Sequence, residues 1–168
     1  MISEKIEKAF NDQINAEMFS YYIYLSMSAW FTSQNLNGMA GWMSAQAQEE
    51  MSHAMKFYNH IHERGGTVKL QPIEGPQVTW NSALEVFEAA YEHEKYITGR
   101  IHNLVKMAME ENDYPSNSFL QWFVDEQVEE EASASEVVEL LKQVKDHSGG
   151  LFMLDRELGK RGAPAAAE

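Results

Sequence analysis

The chain contains no cysteine. That absence removes disulfides, thiolate metal sites and cysteine nucleophiles together, and is neutral about redox compartment. Basic residues are scarce: 13 Lys and Arg stand against 26 Asp and Glu, a net charge of −13. So acidic a chain is unsuited to nucleic-acid phosphates or an anionic membrane surface and is compatible with attracting cations. No apolar run approaches membrane-spanning length. The opening MISEKIEKAF is charged and periodic, so no secretory signal is expected and the cytoplasm is the default location. Convincing strands, low-complexity segments and domain linkers are missing as well.

What is present is a core. Hydrophobic residues make up 44% of 168, including four Trp, eight Phe and seven Tyr. One globular domain is expected over residues 1–161, with GAPAAAE at 162–168 a disordered tail. Four long helical patterns cover it, followed by a short fifth. The first runs from an N-cap at Ser3 to about Ser33, and the second from Asn37 to Arg64, stopping at Gly65-Gly66. The third opens with the capping box Ser82-x-x-Glu85, and the fourth has Pro115 in its first turn. Ser148-Gly149-Gly150 is expected to break the chain before a piece carrying Leu151, Leu154 and Leu158. The links near 34–36 and 112–114 are short and predict antiparallel hairpins. Gly65 to Asn81 is 17 residues long. Extended, it reaches roughly 56 Å, more than the roughly 40 Å of the preceding helix, so it can return along the whole bundle. The expected fold is all-α: a four-helix bundle with one long crossover and a short C-terminal helix.

Each long helix carries an apolar stripe at 3-4 spacing, interrupted near its middle by a group able to bind metal. The first stripe is Ile6, Phe10, Gln13, Glu17, Ser20, Tyr24, Met27, Phe31. In the second, Glu50 and His53 lie among Met43, Ala47, Ala54, Phe57 and Ile61. The third is Leu84, Phe87, Tyr91, Glu94, Thr98, Ile101, Val105, Ala108. The fourth is Leu120, Phe123, Gln127, Glu130, Ala134, Val137, Leu141, Val144. Helix midpoints coincide whichever way neighbours run, so Glu17, Glu50, Glu94 and Glu130 are expected at one level, facing inward. Unpaired carboxylates there cost several kcal/mol each or are forced neutral. No Lys or Arg lies on the stripes at that level, which leaves a multivalent cation as the counter-charge.

A faint repeat supports this. Glu17 precedes Glu50 by the same interval that separates Glu94 from Gln127, and Glu50-x-x-His53 then corresponds to Gln127-x-x-Glu130. Two half-sites facing each other can hold two ions bridged by shared carboxylates. Oxygen-rich ligation with one imidazole suits iron or manganese, and zinc can also bind. Glu49, Glu126 and Glu129 add carboxylates beside the cluster. Tyr24, one heptad after Glu17, points the same way, and Trp122 lies near the same level.

These residues resemble the bacterial and archaeal non-haem ferritins over about residues 1–160. The match rests on Glu17, AQEEMSHAM, YEHEKYIT and DYPSNSFLQWFVDEQVEEE. The resemblance implies a hollow homo-oligomeric shell of twenty-four subunits, with a ferroxidase centre in each. It places Glu17, Glu50 and His53 at one iron, and Glu50, Glu94, Glu130 and nearby Gln127 at a second. Glu49, Glu126, Glu129 and Glu130 resemble a third iron site, and Tyr24 the tyrosine beside the centre. Ferrous ions would be oxidised by dioxygen or hydrogen peroxide and stored as ferric oxyhydroxide. A haem-binding bacterioferritin would repeat Glu-x-x-His in the fourth helix, where this chain has Gln127-x-x-Glu130. Haem is therefore not expected, although Met51 stands where such a protein has its haem ligand. A di-iron bundle that removes peroxide without storing mineral, and an assembly whose polar layer only sets helix register, are the alternatives.

Overall fold

In the computed structural model, residues 1–145 and 147–161 are described; the expected tail lies outside them. Their helices are α1 (Glu4–Ser33), α2 (Asn37–Glu63), α3 (Ala83–Glu110), α4 (Tyr114–Val144) and α5 (Ser148–Leu158). Local chemistry explains the boundaries. Ser3 Oγ accepts from Ile6 N at the start of α1, and the Asp113 carboxylate accepts from Ser116 N at the start of α4. Both hairpins close in the same way. Asn35 and Asn112 take left-handed conformations (φ 59° and 53°), and the next residue's N–H returns to Phe31 O or Ala108 O. The internal repeat thus extends to the turns.

Two boundaries differ from expectation. Ser82 Oγ does accept from Glu85 N, but the Glu85 carboxylate takes the N–H of Asn81 rather than that of Ser82. Ser148-Gly149-Gly150 is not a break: these residues begin α5, and α4 has already ended at Val144. The space decides this, because a Cβ on Gly150 would lie 2.9 Å from Val144 Cβ. Glycine there permits close approach within a helical turn.

Pairing follows from end-to-end contacts. Arg64 at the end of α2 binds Asp113 at the start of α4, and Lys5 near the start of α1 binds Glu111 just past the end of α3. Trp42 and Phe87, both early in their helices, are in edge contact, so α2 and α3 run parallel. Parallel neighbours require the crossover. That segment is laced to α1: Asn11 donates to Thr67 O and accepts from Lys69 N, Asn15 donates to Pro72 O, and Ser26 donates to Gln77 O. The Asn11 clamp holds a buried side chain that periodicity alone assigns no purpose.

The α1 stripe is buried as expected at every position, as is the fourth except for half-buried Val144. On α3 the stripe is rotated. Phe87, Glu94, Ile101 and Ala108 are buried, but Ala83, Ala90, Ile97 and Leu104 accompany them, while Leu84, Tyr91, Thr98 and Val105 are half-buried. Both sets keep 3-4 spacing through the same four shared residues, so periodicity could not choose between them. Two apolar clusters fill the ends of the bundle, one around Phe31, Met43 and Phe87, the other around Phe10, Phe57 and Phe123. Between them lies a buried polar layer.

Candidate metal centre

Glu50 sits at the midpoint of α2, and Glu17, Glu94 and Glu130 lie near the midpoints of their helices, all buried. Ligand atoms of Glu17, Glu50 and His53 fall within 4.8 Å of one another, and so do those of His53, Glu126 and Glu130. His53 joins the two groups. Its Nδ1 is 3.2 Å from Glu50 Oε2, and its Nε2 is 3.6 Å from Glu126 Oε1. Glu-x-x-His on one helix turn produces this arrangement, since residues three apart share a face.

The other half of the layer is tied up internally. Tyr24 donates its hydroxyl proton to Glu94 Oε1, and Gln127 Nε2 donates to Glu94 Oε2 at 3.2 Å. Gln46 Nε2 donates to Glu130 Oε2 at 2.6 Å and to Glu50 Oε1 at 3.1 Å, joining α2 to α4. Gln13 Nε2 donates to Glu17 Oε1 at 2.8 Å, but Glu17 Oε2 is buried without a hydrogen-bond partner. A buried carboxylate oxygen that no donor reaches fits a cation ligand.

Electrostatics agree. Burial, and then the neighbouring Glu50 charge, push Glu17 up to about 8. Burial, reinforced by Glu130, raises Glu50 to about 8; burial and Glu50 do the same to Glu94. Glu130 rises to about 7, mainly by burial with Glu94 adding. Burial and the adjacent carboxylates also push Tyr24 well above its ordinary range. Carboxyls crowded in low dielectric hold protons at neutral pH, and a multivalent cation releases them.

The remaining expected residues occupy the margin. Glu126 is half-buried and reaches His53, whereas Glu129 is exposed and belongs to neither three-ligand group. Glu49, half-buried, is held by Arg161. Trp122 is edge-on to the His53 ring at 5.5 Å, with Lys56 Nζ over its face at 4.2 Å. Met51 is half-buried. His93 accompanies the layer with no expected role: its Nε2 is 2.7 Å from Ser20 Oγ, and burial lowers it to about 4. Two arginines reach the layer after all, each through a glutamine one turn before a ligand. Arg100 Nε donates to Gln13 Oε1, and Arg161 Nη2 donates to Gln46 Oε1, both at 2.9 Å. The sequence signal available was Gln four residues before Glu, present in both α1 and α2.

A bundle of this topology around such a layer defines the ferritin-like class, and the Ferritin-like domain family matches residues 7–144; the chain belongs to that family. Among its relatives, the bacterial non-heme ferritin of Bacteroides fragilis is 44% identical over 161 residues, spanning 96% of this chain and 100% of its own. That of Campylobacter jejuni is 40% identical over 156 residues, 93% of each. An open pore ferritin from the archaeon Archaeoglobus fulgidus superposes with a TM-score of 0.94 at 52% identity, covering 95% of this chain and 98% of that one.

Proposed function

We propose that the chain stores iron: it oxidises ferrous ions at the central layer and holds the ferric product as an oxyhydroxide mineral inside a cytoplasmic homo-oligomeric shell of twenty-four copies. The observation that carries this reading is the buried layer of four carboxyls and one imidazole, in which no donor reaches Glu17 Oε2. Glu17, Glu50 and His53 Nδ1 would take a first ferrous ion. In that pose the His53 Nε2–H faces Glu126, which fixes tautomer and ring orientation. Glu50, Glu94 and Glu130 would take a second, with Gln127 holding Glu94 in place. Two ferrous ions supply the two electrons that reduce dioxygen to hydrogen peroxide, consuming two protons, or reduce hydrogen peroxide to two waters, again consuming two. Tyr24, bonded to Glu94, orients that carboxylate. Glu49, Glu126, Glu129 and Glu130 form a third position on the way out.

Gel filtration and iron loading test this. The assembled protein is expected to elute near roughly half a megadalton, to oxidise ferrous iron rapidly in air, and to retain far more iron than its centres can hold. Oxidation without retention would favour peroxide removal as the primary role. Elution as a dimer, or no iron-dependent absorbance, would overturn the storage reading, the latter leaving the layer as a device for helix register.

A further inference from the structure

The end of α5 is delivered to the polar layer by contacts unrelated to metal. The α2 N-cap, Leu36, offers no side-chain cap, and Asp155 of α5 supplies one, its Oδ1 accepting from Met39 N at 2.9 Å. Gly38 and Gly159 allow the two backbones to meet, since a Cβ on Gly159 would lie 3.1 Å from Gly38 Cα. This docking brings Arg161 back over α2. There its guanidinium lies 4.3 Å from the Trp42 ring centroid, donates to Glu49 Oε2 at 2.7 Å, and donates to Gln46 Oε1 at 2.9 Å. Through Gln46 it is one hydrogen bond from Glu130 Oε2. A single cation therefore neutralises one carboxylate of the third position and is relayed to a second.

We propose that Arg161 is a tethered competitor for the third ferrous ion, and that α5 thereby sets how readily iron occupies the Glu49–Glu130 position. A ferrous ion at Glu49 would share the carboxylate that Arg161 now holds, and the two positive charges repel. Arg161 must swing out as the ion arrives and return as it leaves, which keeps occupancy transient. The first ion is unaffected, because none of Glu17, Glu50 Oε2 and His53 touches the guanidinium. This inference rests on the reading of Glu49 as a ligand, and the test separates the two.

The experiment is anaerobic calorimetric titration of the assembled shell with ferrous sulfate, comparing wild type with Arg161→Ala, Arg161→Lys, Arg156→Ala and Glu49→Gln. Arg161→Ala is expected to tighten the weakest ferrous equivalent about fivefold, the factor equivalent to one partly exposed ion pair, and to leave the tightest equivalent, at Glu17, Glu50 Oε2 and His53, unchanged. Arg161→Lys should restore most of the wild-type affinity, and Arg156→Ala, which removes the same charge from within α5 where the guanidinium lies over the Phe152 ring, should change nothing. Glu49→Gln should abolish the weak equivalent in either background. If Glu49→Gln abolishes it but Arg161→Ala leaves its affinity unaltered, the third position stands and the competitor role is wrong. If Glu49→Gln removes no equivalent, the ligand reading itself fails and the proposal falls with it. Equal tightening by Arg161→Ala and Arg156→Ala would reduce the effect to net charge and also overturn it.

Discussion

The two hairpins contribute unequal halves to one layer. In the first, Glu17 and Glu50 converge on the only imidazole among the inward ligands, and one Glu17 oxygen has no protein partner. In the second, Glu94 has both oxygens engaged, by Tyr24 and Gln127, and Glu130 is held by Gln46. Yet the halves descend from one pattern: matching asparagine turns, matching Schellman closures and matching ligand registers. What separates them is a few substitutions at equivalent positions, His53 against Glu130 and Glu50 against Gln127. An imidazole and an unsatisfied carboxylate make a position ready for a cation; a carboxylate already satisfied by hydrogen bonds gains less from one. The first half should bind before the second.

The strongest way to break this asymmetry is to remove the open half. Glu50→Ala combined with His53→Ala should cost more than the about 100-fold that supporting residues alone cost at metal sites, read as the initial rate of ferric absorbance by stopped flow, with the shell still assembled by gel filtration. Unchanged rates would show that oxidation happens elsewhere. Next come single substitutions that compare the halves. Glu17→Gln should eliminate the tightest ferrous equivalent in an anaerobic titration, whereas Glu94→Gln should keep it and weaken the second. The reverse order would invert the assignment. Tyr24→Phe has a smaller expected effect: oxidation slows by up to about tenfold, because Glu94 loses its orienting donor while every ligand remains.

The smallest effect is on the metal-free protein. Glu17, Glu50 and Glu94 hold their protons to about 8, and Glu130 to about 7, against an ordinary carboxyl near 4.5. The folded state therefore binds more protons than the unfolded one, and the resulting stability is complete below the ordinary value and lost as pH rises through about 7 to 8. His93, lowered to about 4, acts oppositely, but its contribution is already complete above its ordinary 6.5. Between pH 6.5 and 8 the melting temperature of the metal-free shell should fall by on the order of 5 °C, by calorimetry. Saturating zinc should remove the fall, since a bound cation keeps the carboxylates charged and paired. A melting temperature that rises over this window would mean the layer is already ionised and satisfied.

Much of this was legible from spacing alone. A 3-4 stripe interrupted at the helix midpoints located Glu17, Glu50, His53, Glu94, Gln127 and Glu130, because midpoints align in any bundle of equal helices. The length of the 65–81 segment predicted a crossover by reach. The α3 rotation was not legible, since two stripes share Phe87, Glu94, Ile101 and Ala108 and only packing selects between them. Arg161 was hidden for another reason. It lies 115 residues from Gln46, and its placement depends on Asp155 capping a helix far away in the chain. Long-range capping leaves no local periodicity. Asn11 is hidden likewise, its purpose supplied by a loop more than fifty residues on.

The most direct test is anomalous diffraction at the iron edge from crystals of the wild-type shell soaked anaerobically in ferrous iron at increasing dose. The expected result is a first peak between Glu17, Glu50 and His53, then a second between Glu50, Glu94 and Glu130 with Tyr24 and Gln127 still contacting Glu94. Iron appearing first at the second position, or only on exposed carboxylates such as Glu129, would contradict the account.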